Sequence, residues 1–230
     1  YFLKKTINCG LKKFTFSRGN HKADVVFLSQ KKNKDIYLFK IKIKGIVKSF
    51  IISKELSYYK ENILASLSII ANYFDVEKLK KNLFQGFRIP ESRGSLIEYK
   101  KGSKKLTILD ESYNSNPLSL KFALERFNSF NIKKNRKFLL IGDMLELGNY
   151  SKQLHLEIAK YINNSKVNKT YVYGRHIKHT FNKLKPQIKG RILVNPMDIY
   201  NLINNDLPNN SLLMVKGSNS AGLNKIIQKL

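Results

Sequence analysis

Hydrophobic and polar residues follow one another along the chain in two successive rhythms. Short β-type runs come first, at residues 11–16, 23–29, 35–43 and 46–53. In the third, Lys40-Ile41-Lys42-Ile43-Lys44 alternates strictly, which predicts a strand with one wet face and one buried face. Helical spacing then takes over. Ile63, Leu67, Ile70, Ala71 and Phe74 share one face, and a second short helix is expected to carry Val76, Leu79 and Leu83. Pro90 and Gly94 punctuate residues 89–94, which read as a linker.

Beyond residue 95 the rhythm becomes strand–helix alternation. Apolar runs stand at 106–109, 138–141, 170–173, 191–194 and 212–215. Amphipathic segments separate them, carrying Leu120/Ala123/Leu124/Phe127, Leu154/Ile158/Tyr161/Ile162, Ile177/Phe181/Leu184 and Ile199/Leu202/Ile203. A last helix holds Leu223, Ile226, Ile227 and Leu230. Short strands without alternation, separated by helices, predict a mostly parallel sheet covered on both faces. The expected fold class is α/β, with a β-then-α piece at 1–88, the linker, and a Rossmann-like domain at 95–230. Right-handed crossovers would gather the loops after the strands on one sheet edge, where such folds bind ligands.

Composition narrows the class. At 230 residues and 42% hydrophobic, the chain can bury a core and is globular. Its one cysteine, Cys9, cannot pair internally, so a reducing compartment is expected. No apolar run approaches the roughly 18 residues of a membrane span, and residues 1–20 lack a signal-peptide core. A cytoplasmic protein without membrane contact follows, and the opening Tyr1-Phe2 suggests a piece of a longer chain. The charge of +27 raises nucleic-acid binding as an alternative. However, 36 lysines against 7 arginines, spread along the whole length, read as a solvated face; specific nucleic-acid sites favour the arginine fork.

Three loops after strands carry the candidate chemistry. In Asp110-Glu111-Ser112-Tyr113-Asn114-Ser115-Asn116-Pro117, Asn116 suits an N-cap and Pro117 the first helical position. The two acids either accept from ribose hydroxyls or only favour the helix dipole. In Gly142-Asp143-Met144-Leu145-Glu146-Leu147-Gly148, the first glycine permits close approach of a backbone or ligand, or only a tight turn. Val215-Lys216-Gly217-Ser218-Asn219-Ser220-Ala221-Gly222-Leu223 has the G-x-x-x-x-G spacing of a P-loop, but Leu223 stands where the phosphate-binding lysine belongs. An anion site for a carboxylate or phosphate remains open there, using Lys216, Ser218 and the helix start. Among the four histidines, no pair has metalloprotease spacing, and His176 and His179 read as a wet face; no metal site is expected.

Together these loops resemble the Mur family of ATP-dependent amide ligases, in particular its D-alanyl-D-alanine-adding branch. The first is similar to that branch's D-D-S-Y-N-A-N-P signature. The second, with His155, is similar to G-D-M-x-E-L-G…H, and Val215-Lys216-Gly217-Ser218 to V-K-G-S. Asn62-Ile63-Leu64-Ala65-Ser66 resembles the N-A-L-A-A helix start of the family's central domain, and Arg93-Gly94 the end of its interdomain linker. The resemblance implies that a substrate carboxylate attacks ATP to form an acyl phosphate, which the incoming amine opens. It implies ATP and Mg²⁺ as cofactors, UDP-MurNAc-tripeptide and D-Ala-D-Ala as substrates, and a monomer. By the same resemblance, Asn62 would contact adenine, Arg93 the phosphates and Glu111 the ribose, with Asn114 and Asn116 beside it. Lys216, Gly217 and Ser218 would bind the dipeptide, while Asp143 and His155 match the motif without an assigned role. The family's P-loop and metal ligands would lie before Tyr1, leaving this piece without catalysis of its own. Glu111 replaces an aspartate, Leu118 a common acid, and Tyr58-Tyr59 the usual His-Asn.

Overall fold

The computed structural model describes residues 13–230; Cys9 and the start of the first β-type run lie outside them. Two compact units divide the chain between Arg88 and Ile89. In the first, β1 (Phe16–Ser17), β2 (Val25–Asn33), β3 (Ile36–Ile43) and β4 (Ile46–Ser53) form one sheet in that order. The first pair is parallel and the others antiparallel. The alternation in β3 works as expected: Ile41 and Ile43 are fully buried, and Lys42 between them points the other way. Helix α1 (Lys60–Tyr73) covers the buried face with Ile63, Leu64, Leu67 and Ala71.

The second helix expected in this unit does not form. Residues 76–78 make only a 3₁₀ turn, and Leu83 is exposed. The cause is the neighbouring strand: the amide of Ile51 donates to the Lys81 carbonyl at 2.8 Å, which a helix would have used internally. Phe74, expected on the buried face of α1, ends that helix in extended backbone and is two-thirds exposed.

The second unit is a three-layer α/β sandwich. Its strands are β5 (Ser95–Lys101), β6 (Lys104–Glu111), β7 (Lys137–Gly142), β8 (Lys169–Tyr173), β9 (Lys189–Leu193) and β10 (Ser211–Lys216), in the sheet order 5-6-10-7-8-9. All neighbours are parallel except β5 with β6. β5 escaped the hydrophobic pattern because it is an edge strand. Leu96 and Glu98 face solvent, only Tyr99 is buried, and Gly102 turns the hairpin at φ 58°.

Both faces of the parallel strands are covered. In β7, Leu139 and Ile141 meet one helical layer while Phe138 and Leu140 meet the other. The first layer comprises α2 (Pro117–Ser129), α3 (Ser151–Glu157), α4 (Ala159–Asn163) and α5 (Ile177–Asn182). The second comprises α6 (Pro196–Asn201), a π-turn at Leu202–Asp206, and α7 (Leu223–Ile227). No helix among the described residues is long and apolar enough to cross a membrane.

Helix α2 starts as its sequence predicts. The Asn116 side chain accepts from the Ser119 amide at 2.8 Å, Ser119 Oγ accepts in return from the Asn116 amide, and Pro117 takes the first turn. Replacing Asn116 by Ala is expected to cost the second unit about 1 kcal/mol. Urea denaturation would read this as a lower midpoint with an unchanged slope.

Candidate functional site

The three motif loops leave neighbouring strands at one end of the sheet. In register, Lys216 of β10 lies between Glu111 of β6 and Ile141 of β7, so the loops after 111, 142 and 216 open on the same carboxyl edge. β10 enters between β6 and β7, at the point where the strand order departs from the chain order. In open α/β sheets, crevices form at such places.

The first loop is built around Asp110. Its carboxylate accepts from the Ser112 amide and hydroxyl at 3.0 and 2.5 Å, and from Ser92 Oγ at 2.8 Å. The Gly94 amide donates to the Asp110 carbonyl and the Tyr113 amide to that of Ser92, which binds residues 92–94 to this loop. Asp110 is thereby consumed by the fold. The Arg93 guanidinium lies over the Tyr113 ring, its central carbon 3.8 Å from the ring centre. Asn114 is exposed, its side-chain oxygen taking the Ser115 amide, and Ser115 Oγ is buried without a hydrogen-bond partner.

Beneath this loop sits a buried charge cluster. Lys216 is 1% exposed and its ammonium donates to the Asn114 carbonyl at 2.8 Å. Arg126, also buried, donates to the Gly94 carbonyl at 2.7 Å and stands 3.6 Å from Glu111. Burial pushes the Glu111 carboxyl up from its ordinary range, against the pull of Lys216 and Arg126. Burial likewise pulls the Lys216 ammonium down, which Glu111 partly offsets. Arg126 carried no motif signal, because on the amphipathic pattern of α2 it reads as a surface residue.

The second and third loops interlock. Gly142 and Gly217 let two backbones meet: a Cβ on either would fall 2.9 or 3.1 Å from Leu223 Cδ1. The close approach these glycines permit is therefore to the protein's own core, and Leu223, fully buried, fills the place of a phosphate-binding lysine. Ser218 donates its amide to the Asp143 carbonyl at 3.0 Å, and its Oγ accepts from the Leu145 amide at 2.8 Å. Asp143 is nearly buried and accepts from the amides of Arg175 and Ile177 at 3.0 and 2.7 Å, tying β7's loop to the start of α5. His155 is fully buried against the same loop.

Beside the interlocked loops opens a cavity of about 410 Å³, lined by Asp143, Leu145, Arg175, Lys178, Val194 and Ala221, among others. Arg175 and Lys178 are exposed cations of its lining, which also includes Leu145, Leu193, Val194 and Ala221. Neither was legible in the sequence, since the loop after β8 matches no motif. The only available signal was its position after a parallel strand. Asn62 lies in the first unit, exposed in the first turn of α1 beside Glu61, which pairs with Arg18 at 2.8 Å. His176 and His179 are half-buried rather than wet, the His176 ring lying 5.8 Å from that of His155.

The model of the Mur ligase, glutamate ligase domain family matches residues 97–219, more than half of the chain. The chain belongs to the Mur ligase family. Among curated relatives of this Mur ligase chain are two named UDP-N-acetylmuramoyl-tripeptide--D-alanyl-D-alanine ligase. The one from Bacillus subtilis is 32% identical over 137 residues, covering 58% of this chain and 28% of the relative. That from Rickettsia prowazekii is 29% identical over 139 residues, covering 60% and 30%. The chain thus spans about three-tenths of the length of these relatives. In fold it is similar to the MurF ligase of Thermotoga maritima in complex with ADP, at a TM-score of 0.74 and 18% identity, over 99% of this chain and 50% of that one. It is similar also to MurF from Acinetobacter baumannii, at 0.75 and 18%, over 96% and 47%.

Proposed function

We propose that this chain is the nucleotide-lid and acceptor part of an ATP-dependent ligase that adds D-Ala-D-Ala to UDP-MurNAc-tripeptide in peptidoglycan synthesis, acting in the cytoplasm as a monomer. One observation carries the reading: three loops matching that branch's motifs, far apart in sequence, share the carboxyl edge of three adjacent strands. Their relatives' names supply the reaction. In this reading the tripeptide carboxylate takes the γ-phosphoryl group of ATP, and the dipeptide amine then displaces phosphate from the acyl phosphate.

Asn62 serves adenine, Arg93 the phosphates and Glu111 the ribose, with Asn114 and Asn116 lining the same loop. The contact of Arg93 with the Tyr113 ring places its guanidinium beside the first loop. In this reading Lys216, Gly217 and Ser218 help bind the dipeptide, Lys216 and Ser218 by holding neighbouring loops, while Arg175 and Lys178 of the adjoining cavity meet the dipeptide carboxylate. Among the described residues no cluster of three or more His, Cys, Asp or Glu side chains could hold a metal ion, so none of the residues named here is assigned to Mg²⁺.

Titration calorimetry of the chain with D-Ala-D-Ala, D-alanine and L-lysine tests the reading. Binding of the dipeptide alone is expected; binding of a single amino acid in its place would sink it. The same preparation is expected to release no phosphate from magnesium–ATP in a steady-state assay, because Leu223 occupies the cradle position.

A further inference from the structure

The side chain of His155 is 0% exposed, yet both ring nitrogens are engaged. Nε2 faces the Met144 amide at 3.1 Å and Nδ1 faces the Ser151 carbonyl at 2.7 Å. An amide N–H can only donate and a carbonyl can only accept. Nε2 must therefore be bare and Nδ1 must carry the proton, which fixes a neutral imidazole in one tautomer. A second proton would set an N–H of the ring against the N–H of Met144 and break the bond that holds the loop after β7.

That loop is not isolated. Met144 stands between Asp143, which takes the Ser218 amide on its carbonyl and caps the start of α5, and Leu145, whose amide donates to Ser218 Oγ. Asp143 and Leu145 both line the 410 Å³ cavity, together with Arg175, Lys178 and Ala221. The His155 carbonyl also accepts from Thr180 Oγ1 at 2.5 Å, joining α3 to α5. One imidazole thus pins the segment from which two cavity walls hang.

We propose that neutral His155 is a positioning residue for the acceptor cavity, and that its protonation releases the 143–145 segment and weakens binding of a small carboxylate-bearing amine. The identity of that ligand rests on the reading above; the coupling of His155 to the loop does not. The groups facing the ring are Asp143 from the loop after β7, which favours its charged form, and His176 and His179 from α5, which oppose it. Burial outweighs them and pulls the His155 pKa below its ordinary value. The unfolded chain therefore binds the proton first. Folding stability is fully present above a pH of about 6.5 and declines as the pH falls toward the depressed folded value, while the order of the cavity in the folded chain is lost only as the pH falls through that value.

Two variants separate positioning from general packing. His155→Gln keeps an acceptor for Met144 that does not titrate, and His155→Leu keeps bulk but offers none. For the chain as it stands, D-Ala-D-Ala affinity should fall on acidification, become nearly flat with pH in His155→Gln, and drop roughly tenfold at every pH in His155→Leu, the cost of a buried unmet amide. An unaltered acid response in His155→Gln would overturn the proposal, as would full affinity in a folded His155→Leu. If the parent chain binds no dipeptide at any pH, the functional reading fails, and ¹⁵N NMR decides the proposal by itself. The ring should show the Nδ1–H tautomer at neutral pH, and the Met144, Leu145 and Ser218 amides should shift together as it protonates. Independent titration of those amides, or the opposite tautomer, would refute it.

Discussion

Leu223→Lys is expected to destabilise the second unit by about 4 kcal/mol and to bring no gain in ATP affinity. The substitution completes the spelling of a P-loop, G-x-x-x-x-G-K, at residues 217–223. The side chain at 223 does not face a phosphate, however. It is fully buried and closes over Gly142 and Gly217, where a Cβ on either glycine would meet Leu223 Cδ1 at 2.9 or 3.1 Å. A lysine there loses the leucine's packing and carries an ammonium into the apolar layer formed by Val215, Ile226 and Ile227. Leu223→Ala removes the packing alone and should cost about 3 kcal/mol. Urea denaturation of both variants, with equilibrium dialysis against ATP, checks the pair. A stable Leu223→Lys protein that binds nucleotide more tightly than the parent would contradict the account.

The second large effect is expected at Lys216. Replacing it by Met should cost about 3 kcal/mol near neutral pH, because Glu111 keeps its burial but loses one of the two cations that act on it, leaving Arg126 alone. The Asn114 carbonyl loses its donor as well. Adding Glu111→Gln should recover most of the loss, since both charges are held at a desolvation cost. The pH dependence has a definite sign. A carboxyl raised in the folded state binds its proton more tightly there than when unfolded. Its burial is therefore harmless in acid and turns costly as the pH rises from about 4.5 through the raised value. Lys216→Met should accordingly be milder at pH 5 than at pH 7. Denaturant melts of the two singles and the double at both pH values give the coupling, expected to exceed about 1 kcal/mol. Strict additivity would mean that the two groups do not sense each other.

Periodicity made most of the second unit legible. The central strands β7 and β10 are short runs buried at every position, so little in their sequence competes with the strand reading. The capped start of α2 was equally readable, because Asn116-Pro117 satisfies the first turn by local chemistry alone. β5 was missed since an edge strand needs to bury so little, and the helix expected at Val76 because β4 draws the Lys81 carbonyl into a bond no local pattern announces. The loops of the site were visible as motifs, but not what their residues do. Nothing in the spacing indicates that Asp110 and Asp143 are consumed by backbone amides, or that the Lys216 ammonium turns inward to a carbonyl. Arg126, Arg175 and Lys178 gain their neighbours only through the sheet order.

That sheet order also fixes when the unit can become whole. β10 lies between β6 and β7, yet it pairs with β6 across roughly a hundred residues of intervening chain. During synthesis the β5–β6 hairpin and the β7–β8–β9 layer emerge first, each presenting a bare strand edge to the gap. Closure waits until residues 211–216 have left the ribosome, and those residues are themselves entirely buried in the finished sheet. For that interval the nascent chain carries two open templates for strand pairing. A ribosome stalled upstream of β10 would hold two half-sheets and no carboxyl-edge crevice at all.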